Sequence, residues 1–400
     1  MIKKQSYLVP FILVTSLFFF WGFAHSILDV LNKHFQDALV ISKSRSALVQ
    51  AVVYGGYFLM ALPAGSIIKK WGYRTGVVTG LILYGIGALL FIPGERIMSF
   101  EFFLLSLFII GCGLTCLETA ANPYITVLGD KDSGPQRLNL AQSFNGLGWI
   151  CGPLVGGLLI FTGKSGNDGS VALPYAIIGI VVLVVAVVFS RIKLPEIVIK
   201  DEENVKGGLW KHLGFIFGVV ALFFYVAAQT GINSFFINYV TENIPAFSPR
   251  TAALILSFGG MGLFMIGRMG GSWIMKYIKA EKILMFCAIG ASVCMMVVTF
   301  IPGKFALGAL LLCYLFESIM FPTIFAIAIR GLDSANTKRA SSFLIMSIVG
   351  GAIAPVLMGA MGETNMAIGF IIPLFCFLII FGYTIWLHYE KIRQRYSVKT

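Results

Sequence analysis

Residues 112–129 read CGLTCLETAANPYITVLG, and the stretch pulls in two directions. It continues a strongly apolar run, yet it carries Glu118 and then Asn122-Pro123, a carboxylate and a helix-breaker five residues apart. Their meaning depends on the solvent. Of the 400 residues 58% are hydrophobic and 12% charged, with 35 Phe and 44 Gly. Soluble domains carry about twice that share of charge. Low charge combined with abundant Gly, which lets helices approach closely in lipid, identifies an integral membrane protein.

A membrane helix needs about 20 apolar residues. Such runs lie near 7–33, 45–69, 75–94, 100–128, 138–162, 172–193, 213–241, 250–276, 282–301, 305–330, 340–361 and 367–388. Twelve transmembrane helices are therefore expected. The first run, from Tyr7 to about Leu31, exceeds the core of a cleavable signal peptide and reads as an uncleaved span. The longest polar connector, RIKLPEIVIKDEENVKGGLWKH, follows the sixth run. With the N-terminus on the cytoplasmic side, 22 of the 30 Lys and Arg fall on that side and only 7 on the other. Positively charged loops stay cytoplasmic, so both termini are expected there. The net charge of +12 is then a topology signal, and no nucleic-acid partner is needed to explain it.

The seven cysteines lie in apolar runs without a CxxC pair, which indicates small buried hydrophobes and neither disulfides nor a metal site. No enzyme signature is present: HExxH and GxSxG are missing, and Gly157–Ser165 departs from phosphate-loop spacing by one residue.

The chain also repeats itself. GSIIKKWGYRTGVV, from Gly65, matches GSWIMKYIKAEKIL, from Gly271. Glu118 followed by Pro123 matches Glu317 followed by Pro322, and Arg137 with Pro153 matches Arg339 with Pro355. Trp21 and Asp29 match Tyr225 and Asn233. Two parallel six-helix repeats are the organisation of major facilitator transporters, which bind substrate between the halves near the membrane midplane. The expected divisions are an N-terminal half, 1–194, a cytoplasmic connector, 195–211, and a C-terminal half, 212–400. The loop from Gly65 resembles that superfamily's Gly-x-x-x-Asp-Arg-x-Gly pattern, with Lys69 in place of the acid and Arg74 further on. Gly65, Lys69 and Arg74 are accordingly structural or gating candidates.

A charge at the bilayer centre costs about 2.5 kcal/mol or more, so intramembrane polar groups are expected to face a partner or a wet cavity. Few qualify. They are His25 and Asp29 in the first run, Glu118 and Asn122 in the fourth, Gln142 and Asn145 in the fifth, Gln229 and Asn233 in the seventh, Arg268 in the eighth and Glu317 in the tenth. The i, i+4 spacing of His25 with Asp29 and of Glu118 with Asn122 puts each pair on one helix face, as does i, i+3 for Gln142 with Asn145. Carboxylates and amides within an aromatic wall of Trp21, Tyr54, Tyr57, Phe144 and Tyr225 suit a polyhydroxylated ligand. Hydroxyls need both donors and acceptors, and the C–H face of a sugar stacks on aromatic rings. Each residue also has a plainer reading. Asp29 could pair with Arg268, Glu317 could preserve the packing of the repeat, and His25 could be a satisfied core histidine. Arg268 and Glu317 are read as structural.

The stretch CLETAANPYITVLG followed by RLNLAQSFNGLG resembles the fucose:proton symporter family, the fucose permeases. The resemblance extends along essentially the whole chain through GYFLMALPAG, AQTGINSFFINYVTENIP, FPTIFAIAI and SSFLIMSIVGGAI. It implies a proton-linked carboxylate at Asp29, a second carboxylate at Glu118 and sugar-binding amides at Gln142 and Asn145. The family usually has N-N-L-N-D in the first helix, where this chain has His25-Ser26-Ile27-Leu28-Asp29, so the pocket near the sugar differs. A rival motif is GWICGPLVGG, Gly148–Gly157, which matches the fifth-helix pattern of proton-coupled drug antiporters.

The expected protein is thus an all-α secondary transporter, a monomer of the bacterial inner membrane with no cofactor beyond the coupling proton. It would take up a monosaccharide with a proton by alternating access. L-fucose leads as substrate, ahead of glucose, galactose or an amino sugar. Protonation of Asp29 would remove a charge that opposes closure. Glu118, Asn122, Gln142, Asn145, His25, Gln229 and Asn233 would bind the sugar. In that reading Pro123 lets the helix bend beside Glu118.

Overall fold

The hydrocarbon interior offers backbone groups no water, so a spanning segment must satisfy its own amides, and a helix does so locally. The structure, a computed structural model, describes residues 8–127, 134–161, 170–192, 209–275, 277–301, 303–330, 340 and 343–397, with no strand among them. Eleven helices among the described residues are long and apolar enough to cross a membrane: Phe11–Leu39, Lys43–Ile68, Lys70–Ile97, Phe100–Ala121, Ala172–Arg191, Leu213–Asn243, Pro249–Gly271, Ala280–Phe300, Lys304–Ala328, Phe343–Met361 and Met366–Glu390. The fifth expected run also forms a helix, Gly134–Leu159. It falls outside the apolar set because it is rich in Gly and carries Gln142 and Asn145. All twelve are called spans below, in chain order. Their outer faces bear exposed Ile180, Phe300, Phe305 and Phe375, as lipid contact requires. None of the seven cysteines is paired, and five are buried.

The second and third spans form one helical stretch, Leu48–Leu89, interrupted at Gly72, where φ is 81°. A side chain would disfavour that backbone, so Gly72 is what turns the chain there. Gly72 closes the loop that begins at Gly65. Arg74, just beyond it, donates from Nε to the Phe189 carbonyl at 3.2 Å and ties the third span to the sixth. The Lys69 side chain lies outside the described residues.

The chain forms two compact units. The first is Met1–Ile41, Leu48–Ile199 and Pro249–Ser257, and the second is Ser42–Ala47, Lys200–Ser248 and Phe258–Thr400. Two short segments therefore depart from a simple division at the central connector. Each follows the first span of its own repeat. The second of them ends inside a π-helical stretch, Ile255–Met261, in the eighth span. Most of the connector lies outside the described residues.

Within the first unit, spans 1 and 5 touch backbone to backbone. A Cβ at Gly148 would run into the Phe19 carbonyl, one at Gly152 into the Ser26 hydroxyl and one at Gly156 into Val30. Opposite them, a Cβ at Gly22 would strike the Asn145 carbonyl. Small residues one turn apart are the usual device for close helix contact in lipid. The GWICGPLVGG stretch is this seam. The second unit repeats the contact, with Gly350 against the Phe223 carbonyl. We expect Gly152→Leu to destabilise the protein by about 1–3 kcal/mol or more through overpacking. Thermal unfolding in detergent measures this, with Gly55→Ala as control, because nothing lies within 4 Å of a Cβ at Gly55. Equal Tm values for the two variants would contradict the seam.

Candidate functional site

In the first unit the polar groups of spans 1, 2, 4 and 5 gather around His25 and Asp29. These two stand one turn apart on the first span, 6% and 2% exposed. Asp29 Oδ1 accepts a hydrogen bond from Gln50 Nε2 at 3.0 Å, and Gln50 is itself buried. Asp29 Oδ2 is buried with no hydrogen-bond partner. This carboxyl is half satisfied, and its second oxygen is the natural seat for a proton, since a protonated acid donates where an ionised one can only accept.

His25 Nε2 lies 3.0 Å from the Tyr57 hydroxyl. Its ring stacks on Trp149 at 6.0 Å and 15°, with Trp21 edge-on at 6.0 Å and Tyr54 tilted at 5.6 Å. The Tyr57 hydroxyl interacts in turn with Glu118 of the fourth span. A phenol both donates and accepts, so Tyr57 can join an imidazole to a carboxylate. His25, Tyr57 and half-buried Glu118 thus form a polar line framed by aromatic rings.

Asn145 donates from Nδ2 to the Phe18 carbonyl at 3.2 Å and is 4% exposed, so one of its amide groups braces span 5 against span 1. Ser26 Oγ adds a bond to the Gly148 carbonyl at 3.1 Å. Gln142, one turn earlier than Asn145, is half-buried. The helix bearing Asn122 is described, but the side chains of Asn122 and Pro123 lie outside the described residues.

The second unit holds its own polar groups. Asn233 is 2% exposed with an Oδ1 that has no hydrogen-bond partner, and Gln229 lies half-buried one turn before it. Arg268 donates from Nε to the Ser318 carbonyl at 3.2 Å and lies over the Phe264 ring at 4.6 Å. Glu317 is wholly buried, and neither of its carboxylate oxygens has a hydrogen bond. The charge of Arg268 acts on it. Arg268 and Glu317 thus share no hydrogen bond or ion pair among the described residues, whereas Asp29 takes Gln50 as its partner. A Cβ at Gly65 would meet nothing within 4 Å.

Two contributions escaped the sequence reading: Gln50 as the ligand of Asp29, and Tyr57 as a bridge as well as a wall. Their spacing held a signal. Gln50 and Tyr57 are seven residues apart, two helical turns, so they lie on one face of the second span.

The chain matches the Major Facilitator Superfamily over residues 11–355. It is 38% identical to the L-fucose-proton symporter of Escherichia coli, with 95% of this chain and 93% of the symporter covered. It is 34% identical to a glucose/galactose transporter of Brucella abortus, with 92% of each covered. The crystal structure of the E. coli fucose:proton symporter aligns with a TM-score of 0.70 at 37% identity, covering 96% of this chain and 99% of that one.

The Asp29–Gln50 contact has a measurable consequence. Gln50→Leu strips a buried carboxyl of its donor and should destabilise the protein by about 1–3 kcal/mol. In an Asp29→Leu background the same change should cost little, because no acceptor remains. A double-mutant cycle of unfolding free energies reads the difference, and additive losses would show that the two side chains do not interact.

Proposed function

The chain belongs to the major facilitator superfamily and, within it, to the family of the fucose–proton symporters, and from that premise we propose that it takes up a monosaccharide together with a proton. The observation that carries this reading is the cluster in the first unit. A buried carboxyl with one unsatisfied oxygen, Asp29, lies one turn from a His25–Tyr57–Glu118 line walled by aromatic rings. Asp29 carries the proton. When protonated it is neutral and its burial costs little; when ionised it opposes closure of the path. Glu118, His25 and Gln142, with Asn122 and Asn145, bind sugar hydroxyls in the first unit; Gln229 and Asn233 are the sugar-binding candidates of the second.

The chain is a multi-pass membrane transporter, and its relatives are transporters, not enzymes. The finer assignments are part of the same proposal. The protein works as a monomer in the bacterial inner membrane, its termini face the cytoplasm, and the proton is its sole coupling partner. The relatives divide between L-fucose and glucose/galactose. L-fucose is the first substrate to test, with the two hexoses beside it. Proton-coupled export was the rival reading. Its support is the glycine stretch of the fifth span, and packing accounts for those glycines, with Gly148, Gly152 and Gly156 against the first span and Gly157 against Ala253.

Inward-directed transport predicts that vesicles containing the protein acidify internally when the right sugar is added outside. Asp29→Asn imitates the protonated acid and should abolish uphill accumulation while sugar exchange survives. Full proton-driven accumulation by that variant would remove Asp29 from the mechanism.

Glu118 has a separate test. A carboxylate accepts from two hydroxyls, whereas Gln keeps the shape with one carbonyl oxygen. Loss of one charge-assisted hydrogen bond is worth about 1.5–3 kcal/mol, or roughly 10- to 150-fold in affinity. Glu118→Gln should therefore weaken sugar binding by that order with no gradient imposed, and Glu317→Gln much less. Calorimetric titration of the purified variants at one pH decides it, and equal small losses would relocate the site.

A further inference from the structure

The lipid-facing stripes of spans 8 and 9 run out in one loop of the second unit. On span 8, Ile266, Met269 and Trp273 recur at three- and four-residue steps and are all exposed, so they share one helix face turned to lipid. On span 9, Phe286, Ile289 and Val293 do the same, and exposed Lys282 stands one turn before Phe286 on that face. The helix of span 8 ends at Ile274, and that of span 9 begins at Ala280. Residues 273–282 therefore lie where two apolar stripes give out, which in a bilayer is the level of the headgroups.

The side chains there suit that level. Trp273 and Tyr277 pack edge to face with ring centroids 5.3 Å apart, yet they stay 59% and 74% exposed. Rings with an apolar body and a polar tip collect at the boundary between hydrocarbon and water. Lys279 and Lys282 are exposed beside them, and neither forms an ion pair among the described residues. The one acid in the loop, Glu281, is taken by Arg330 Nη1 at 2.6 Å. The Lys276 side chain lies outside the described residues. The equivalent loop of the first unit lays Lys70 over its own Trp71 ring at 4.8 Å, whereas no cation lies over Trp273 or Tyr277 among the described residues.

We propose that residues 273–282 bind the headgroup of an anionic phospholipid. Its phosphate oxygens accept from the ammonium groups of Lys279 and Lys282, each of which carries three donors and no acceptor. The Trp273–Tyr277 pair sits at the junction of headgroup and tails, and the acyl chains follow the apolar stripes of spans 8 and 9. A zwitterionic lipid brings its own cation beside the phosphate, so two lysines without a counter-charge favour a lipid of net negative charge. A lysine near an anionic surface is worth about 5-fold in binding, and the two together about 25-fold. None of these residues is among the sugar or proton candidates, so lipid binding and transport stand or fail separately.

The test uses the full chain in lipid nanodiscs, with Trp273 as reporter. Either phosphatidylglycerol or phosphatidylcholine carries brominated acyl chains, which quench a neighbouring indole, and the other lipid is left unbrominated. The Trp273 signal is the difference between the wild type and Trp273→Phe. Brominated phosphatidylglycerol should quench it at a mole fraction about 25-fold lower than brominated phosphatidylcholine does. Lys279→Gln and Lys282→Gln should each reduce that preference about 5-fold, and the double variant should abolish it. Added salt should weaken the preference by screening. Both lysines are exposed, so their replacement leaves the packing of the helices intact. Lys304→Gln, at an exposed position where the helix of span 10 begins, should change nothing. Equal quenching by the two lipids in the wild type, or a preference that survives in the double variant, would overturn the site.

Discussion

A polar group in hydrocarbon has no water to fall back on, and every other feature of this molecule adjusts to that fact. The backbone answers with helices, which satisfy their amides within each segment. Polar side chains must answer pairwise. Asp29 takes Gln50, His25 takes Tyr57, and Asn145 takes a main-chain carbonyl of the first span. Glu317 is the exception, a buried carboxylate with no hydrogen-bond partner on either oxygen. Each such group costs the fold something unless it is matched, which makes the incompletely matched ones informative. Asp29 Oδ2 in the first unit and Asn233 Oδ1 in the second are among the buried oxygens without a hydrogen-bond partner.

With no water to drive helices together, close packing has to hold them. That accounts for the composition better than flexibility does. The glycines of the fifth span let it lie against the first so tightly that a single methyl group would collide with backbone or with Ser26. The same contact recurs at Gly350 in the other repeat. This seam also determines where the site forms, because it fixes Asn145 against Phe18 and Trp149 beside His25. Packing and chemistry are joined at one interface.

The relation to sugar transporters is spread over nearly the whole length of the chain, and in the first span the local chemistry centres on His25. Its imidazole stacks on Trp149 and is hydrogen-bonded to Tyr57. The relatives divide between L-fucose and glucose/galactose transporters.

Much was legible in the residues alone. Twelve runs of spanning length, the internal repeat and the short inventory of intramembrane polar groups all depend on local properties. Hydropathy, charge and helical periodicity are set by neighbours in sequence, so the chain states them openly. Faces were equally readable, because residues three or four apart must share one. Partners were not. That Asp29 bonds Gln50, 21 residues away on another helix, depends on how spans 1 and 2 are rotated and stacked. Lys43 with Glu242 and Glu363 is of the same kind. Periodicity determines which way a side chain points from its own helix. Only the packing of helices on one another decides what it meets there.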